Sequence, residues 1–183
     1  MHFKQHVFIT AISALAYFFA FQLHFIVFSD LESSWGVHWI FVPSGIRLAA
    51  VLLGGLSGAV GIVLGSLAIV LSNYNTPFAL FSIGTALISG FSPLLARRIA
   101  TDLLRLDREL SNIKAVGLVK ITLLFSIISA TGHQLWFYAF DRNDNFLREL
   151  FVMGFGDFAG AIIVLFLLEA AVRLVRGRRL TSR

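Results

Sequence analysis

The sequence predicts an all-α, polytopic transmembrane bundle of about six spans with both termini in the cytoplasm. Three observations predict it. Of the 183 residues, 57% are hydrophobic, whereas soluble domains run at roughly 45–50% apolar. The mean hydropathy is +0.84. Apolar runs of spanning length recur along the chain, separated by short polar or glycine-containing breaks. A bilayer core of about 30 Å requires about 20 apolar residues in a helix. No polar segment is long enough to fold separately, so 1–183 reads as one membrane domain.

The first span is expected over 6–28. No small-residue cleavage site follows it, only Phe28-Ser29-Asp30, so it reads as a retained helix and not a signal peptide. A polar stretch from Ser29 to His38 comes next. The apolar block from Trp39 to Ser72 is too long for one helix, and Gly54-Gly55 divides it into spans 40–54 and 56–72. Asn73-Tyr74-Asn75-Thr76-Pro77 is a turn. The remaining spans are 78–96, 115–140 and 150–172. In the intervening segment 97–114, Ile99, Leu103, Leu106, Leu110 and Ile113 recur at helical spacing, which predicts an amphipathic helix on the inner leaflet or an extension of the fourth span. The basic tail 173–183 suits anionic lipid.

Charge sets the orientation. Lys4, Arg97, Arg98, Arg105, Arg108, Lys114 and the five arginines of the tail fall on one side, while Asp30, Glu32, Asp141, Asp144 and Glu149 fall on the other with Arg142 and Arg148. The positive-inside rule then places both termini in the cytoplasm. Trp35, Trp39 and Trp136 all fall at the opposite interface, as an aromatic belt would.

The candidate functional residues are the polar groups inside spans. Arg47, His133 and Asp157 each lie about seven residues, or about 10 Å, from the outer end of their span. Gln22 and Gln134 fall at nearly the same level. Ionisable groups at that depth are costly and face protein or water. Three roles fit: an ion pair that locks two helices, a pocket for a small ligand or ion, and a proton relay through His133 and Asp157. The planar guanidinium of Arg47 would suit an anionic ligand, a carboxylate or phosphate. The Pro43-Ser44-Gly45 motif just before it permits either a broken, cavity-lining start or ordinary N-terminal punctuation. Gly54-x-x-x-Gly58, Gly61-x-x-x-Gly65 and Gly156-x-x-x-Gly160 are expected to put pairs of glycines on close-packing helix faces.

No hydrolase, zinc-protease, phosphate-loop, nucleotide or nucleic-acid motif is present, so no catalytic residue is assigned and no enzyme is expected. Cysteine is absent, which removes thiolate chemistry. His24 and His38 flank the first polar stretch, where a metal site joining them is the weaker reading; no metal or cofactor is assigned.

The run Phe41-Val42-Pro43-Ser44-Gly45-Ile46-Arg47, followed by Gly61-Ile62-Val63-Leu64-Gly65 and then Gly156-Asp157-Phe158-Ala159-Gly160, resembles the membrane-associated (MASE-type) sensor domains of bacterial histidine kinases and diguanylate cyclases. The resemblance covers about residues 40–175. It implies a non-enzymatic sensor in the bacterial inner membrane. Members usually have more spans and continue into an output domain. This chain stops eleven residues after Val172, so it is expected to signal through a separate membrane or cytoplasmic protein. Two further classes fit the composition: a substrate-capture or other subunit of a membrane transporter, and an accessory or assembly subunit of a larger membrane complex.

Overall fold

The computed structural model describes residues 3–73, 79–104 and 115–181. The order is α1 (Phe3–Phe28), a 3-10 turn (Ser29–Leu31), β1 (Glu32–Ser34), β2 (Val37–His38), α2 (Pro43–Asn73), α3 (Ala79–Leu104), α4 (Ala115–Ala139) and α5 (Phe146–Thr181). All five helices are long and apolar enough to cross a membrane. Their exteriors carry large apolar side chains such as Phe19, Leu53, Leu80, Leu135 and Phe166, while Ser44, Thr122, Ser129 and Gln134 are fully buried. Apolar outside and polar inside is the arrangement a lipid solvent favours, since water is not there to satisfy exposed polar groups.

The helix count is five where about six spans were predicted, and the difference lies in α2. Its backbone leaves helical geometry at Gly55, with φ 57° and ψ −130°. That conformation is open essentially to glycine alone. A Cβ on Gly58 would overlap the Ala50 carbonyl oxygen, eight residues earlier. In a straight helix those two levels stand about 12 Å apart. Ile46 likewise packs on the cluster that contains Ile62 and Ile69. The chain therefore reverses at Gly55, and arm 43–54 lies against arm 56–73. Arg97 supports the reversal, because its Nη1 donates to the Val51 carbonyl at 3.0 Å. That carbonyl belongs to the last turn of the first arm, where helix carbonyls lack internal partners.

The glycine pairs divide by role. Gly61 and Gly65 face Thr10, Ser13, Ala14 and Tyr17 on α1, a helix contact as expected. Gly54 and Gly58 straddle the break, so they do not share a helical face; Gly54 meets Ile9 and Gly58 meets Ala50. The Gly156/Gly160 face packs against the non-helical segment 38–42, not a helix: added Cβ atoms would overlap the carbonyl oxygens of His38 and Phe41.

The segments between and beyond the spans take definite structure. Helix α3 runs on to Leu104, so the start of the amphipathic segment extends the fourth span; 105–114 lies outside the described residues. Helix α5 starts at Phe146 and continues to Thr181, taking in most of the basic tail. The polar stretch after α1 is a two-stranded antiparallel hairpin pairing Glu32 with His38 and Ser34 with Val37. Gly36 makes its turn at φ 69°. Trp35 packs edge-on against Phe81 and Phe137, and the Arg142 guanidinium lies 5.5 Å over the Trp35 ring. The hairpin thus plugs one end of the bundle, opposite the Gly55 reversal.

Candidate functional site

Beneath the hairpin lies a cavity of about 60 Å³, to which all five helices contribute. Its polar wall includes Tyr17 of α1, Arg47 and Ser66 of α2, Thr85 and Ser89 of α3, His133 of α4 and Asp157 of α5. The hairpin contributes Trp35, Gly36 and His38 to its lining.

Arg47 and Asp157 do pair. Nη1 lies 3.7 Å from Asp157 Oδ2, and both side chains are buried. The rest of the guanidinium is held by neutral groups. Nε donates to the Ser89 carbonyl at 3.0 Å and Nη2 to Ser129 Oγ at 3.0 Å, while the plane sits 5.2 Å over the Phe125 ring. The Ser89 carbonyl is free to accept for a reason written in the sequence. It is the i−4 partner of Pro93, which lies inside α3 and has no N–H to give it. Arg47 supplies the missing donor.

His133 joins the same network. Its Nδ1 is 2.9 Å from the Ser129 carbonyl and its Nε2 3.2 Å from Ser89 Oγ. A carbonyl only accepts, so Nδ1 carries the proton and Nε2 is left to the Ser89 hydroxyl. Arg47, His133 and Asp157 are therefore connected through Ser89 and Ser129, one hydroxyl residue on each of α3 and α4. Sequence reading missed both, along with Tyr17, Ser66 and Thr85.

Gln22 and Gln134 do not line the cavity. Gln134 is buried, but it accepts from Asn143 Nδ2 and reaches Met153 Sδ at 3.5 Å, nearer the α4–α5 loop. Gln22 is half-buried on α1. Pro43 takes the first position of α2, where its missing N–H costs nothing. Ser44 Oγ lies 2.7 Å from both the Phe41 and the Asp157 carbonyls, and Gly45 abuts Val164. The motif thus docks the start of α2 onto α5 and fixes Arg47 opposite Asp157. No broken helix start is seen there.

His24 and His38 meet edge to face with ring centroids 4.9 Å apart. Among the described residues no group of three or more His, Cys, Asp or Glu could hold a metal. His38 lies outside the helices, and burial pushes its imidazole pKa down to about 4. It is uncharged in the fold, and charging it requires acid well below its ordinary value of 6.5. The unfolded chain then binds more protons between these values, so stability falls as pH drops from about 6.5 to about 4. The full loss is about 3 kcal/mol. Thermal melts at pH 7 and pH 4.5 are expected to differ less in His38→Phe than in the natural sequence; an unchanged difference would refute the assignment.

Pro93 gives a second test, a double-mutant cycle. Restoring an N–H with Pro93→Ala sets the helix in competition with Arg47 for the Ser89 carbonyl. The substitution is expected to stabilise an Arg47→Leu background more than the natural sequence. The coupling should be about 1 kcal/mol, read from unfolding in detergent. Additive effects would mean that Arg47 does not depend on that carbonyl.

Comparison with protein-family models, with curated proteins and with solved structures gives no match.

Proposed function

We propose that this chain is a non-enzymatic sensor or regulatory subunit of a bacterial cytoplasmic membrane, acting through a separate protein partner. One observation carries the reading. All five helices and the end hairpin contribute to one cavity that holds the buried Arg47–Asp157 pair in its wall. A change at that pair is felt by every helix, including α5, which leads to the basic C-terminal segment. The resemblance of the Pro43–Ile46, Gly61–Gly65 and Gly156–Gly160 segments to sensor domains supports the same reading.

In this proposal the two arms of α2 count as separate passes, giving six spans and both termini in the cytoplasm. The first arm is short, about 18 Å for 12 residues, so the Gly55 reversal and Arg97 sit within the inner half of the bilayer. Reporter fusions at residues 36, 75 and 183 test the topology. Sensor function predicts that Asp157→Asn, expressed normally, alters the partner's output. Unchanged output would refute it. Purification from the native membrane with identification of a co-purifying kinase or cyclase would support it.

The transporter reading gains little, because the cavity is far smaller than the roughly 300–1,000 Å³ of pockets for organic solutes. The accessory-subunit reading is favoured by the completeness of the Arg47 network, which suits a purely structural lock. A fixed stoichiometry with a large membrane complex would decide for it.

A further inference from the structure

Three buried polar atoms at the cavity have no hydrogen-bond partner among the described residues: Asp157 Oδ2, Thr85 Oγ1 and His38 Nδ1. They come from α5, α3 and β2, yet all three residues line the one cavity. Each residue is more than nine-tenths buried. A buried hydroxyl or ring nitrogen with no hydrogen-bond partner is unfavourable, and Asp157 Oδ2 has only the 3.7 Å ion pair with Arg47 and no hydrogen bond. Three residues on the wall of one cavity that each carry such an under-bonded atom point to a site that is completed by an occupant.

The surroundings specify what that occupant is. Size comes first: about 60 Å³ admits a few waters or a solute of about three heavy atoms. Charge comes second. Arg47 and Asp157 already balance one another, so an added ion of either sign would leave a buried net charge without compensation. This turns the expected anionic ligand into the less favourable case, since Nε and Nη2 of Arg47 are also engaged with Ser89 and Ser129. Hydrogen bonding comes third. An ionised carboxylate oxygen only accepts, so the occupant must donate. The aromatic rings of Phe21, Phe41 and Phe137 complete the lining and would cover its apolar side.

We propose that the cavity is a binding site for a small uncharged hydrogen-bond donor, which bridges Asp157 Oδ2 to Thr85 Oγ1 and His38 Nδ1. Water fills it when no other such solute is present. The inference rests on the same pocket as the sensor reading but is tested by binding alone, so loss of signalling and loss of binding are separate results.

The test uses the full chain purified in detergent, and its first arm is a sign. Thr85→Val keeps the shape and deletes the hydroxyl. If that hydroxyl is bridged to an occupant, Val lowers Tm and Thr85→Ser retains most of it. If the hydroxyl is dry, Val removes an unsatisfied group and raises Tm, which overturns the proposal. The second arm sets the class. Formamide, sodium formate and methylammonium chloride are compared at equal concentrations in the tens of millimolar, because ligands this small bind no tighter than roughly millimolar. Formamide is expected to raise Tm by about 2–4 °C in the natural sequence and not in Thr85→Val. Stabilisation by formate alone would make this an anion site on Arg47, and by methylammonium alone a cation site; either overturns the proposal. Response to none of the three, with Val destabilising, restricts the uncharged donor to water.

Discussion

Asp157→Leu is expected to destabilise the bundle by about 3–5 kcal/mol, and Arg47→Leu by a similar amount, whereas the double substitution recovers a large part of the loss. Both charges are buried and 3.7 Å apart. Removing one leaves the other uncompensated in a low-dielectric interior, which is where the large cost arises. Removing both replaces a desolvated pair by apolar volume, and such exchanges are often neutral. Recovery will be incomplete, because Arg47 also satisfies the Ser89 carbonyl that Pro93 leaves open and donates to Ser129. Unfolding in mixed micelles, followed by far-UV circular dichroism, reads all three variants. Additive losses would mean that the two charges do not interact. A recovered double variant that folds but no longer signals would separate the pair's role in stability from its role in sensing.

Much of this was legible in the sequence because hydropathy and depth are one-dimensional. Counting residues from span ends placed Arg47, His133 and Asp157 at one level, and the three meet. Counting does not give the angle around the helix. His133 and Gln134 are adjacent and so point about 100° apart; with His133 on the cavity, Gln134 turns to Asn143 and Met153. On α1, Tyr17 and Phe21 are one turn apart and both line the cavity, which puts Gln22 off that face.

The hydroxyl residues had no signature of their own. Ser92, Thr122 and Ser126 bond to carbonyls four residues back within their own helices, and nothing local distinguishes them from Ser89 and Ser129. Pro93 was the readable clue, since a proline inside an apolar helix announces an open carbonyl four residues earlier. The hairpin was read as a polar loop because its burial is tertiary. Val37 and His38 are covered by the bundle end, not by their neighbours in sequence.

Gly160→Val is expected to cost about 3 kcal/mol or more, and Gly156→Val a similar amount. At both positions the atom in the way is backbone: the Phe41 carbonyl over Gly160 and the His38 carbonyl over Gly156. A flexible side chain could swing aside, but here the whole segment 38–42 would have to lift from α5. That movement breaks the 3.0 Å bond from the Phe41 N–H to the Gly156 carbonyl and pulls Ser44 from the Asp157 carbonyl. Overpacking alone typically costs about 1–3 kcal/mol, and the lost hydrogen bonds add to it. Gly154→Ala is the control on the same helix. Its Cβ would meet only Ala130 Cβ, at an ordinary 3.6 Å, and the change should be within about 0.5 kcal/mol. Segment 38–42 also carries His38 and Phe41 into the cavity wall, so the valine variants should expose the polar centre. Faster hydrogen–deuterium exchange at residues 32–42, measured by mass spectrometry on protein that remains folded, is the expected mark of that opening. Exchange spread evenly over all five helices would show instead that the glycines hold the bundle together rather than the hairpin down.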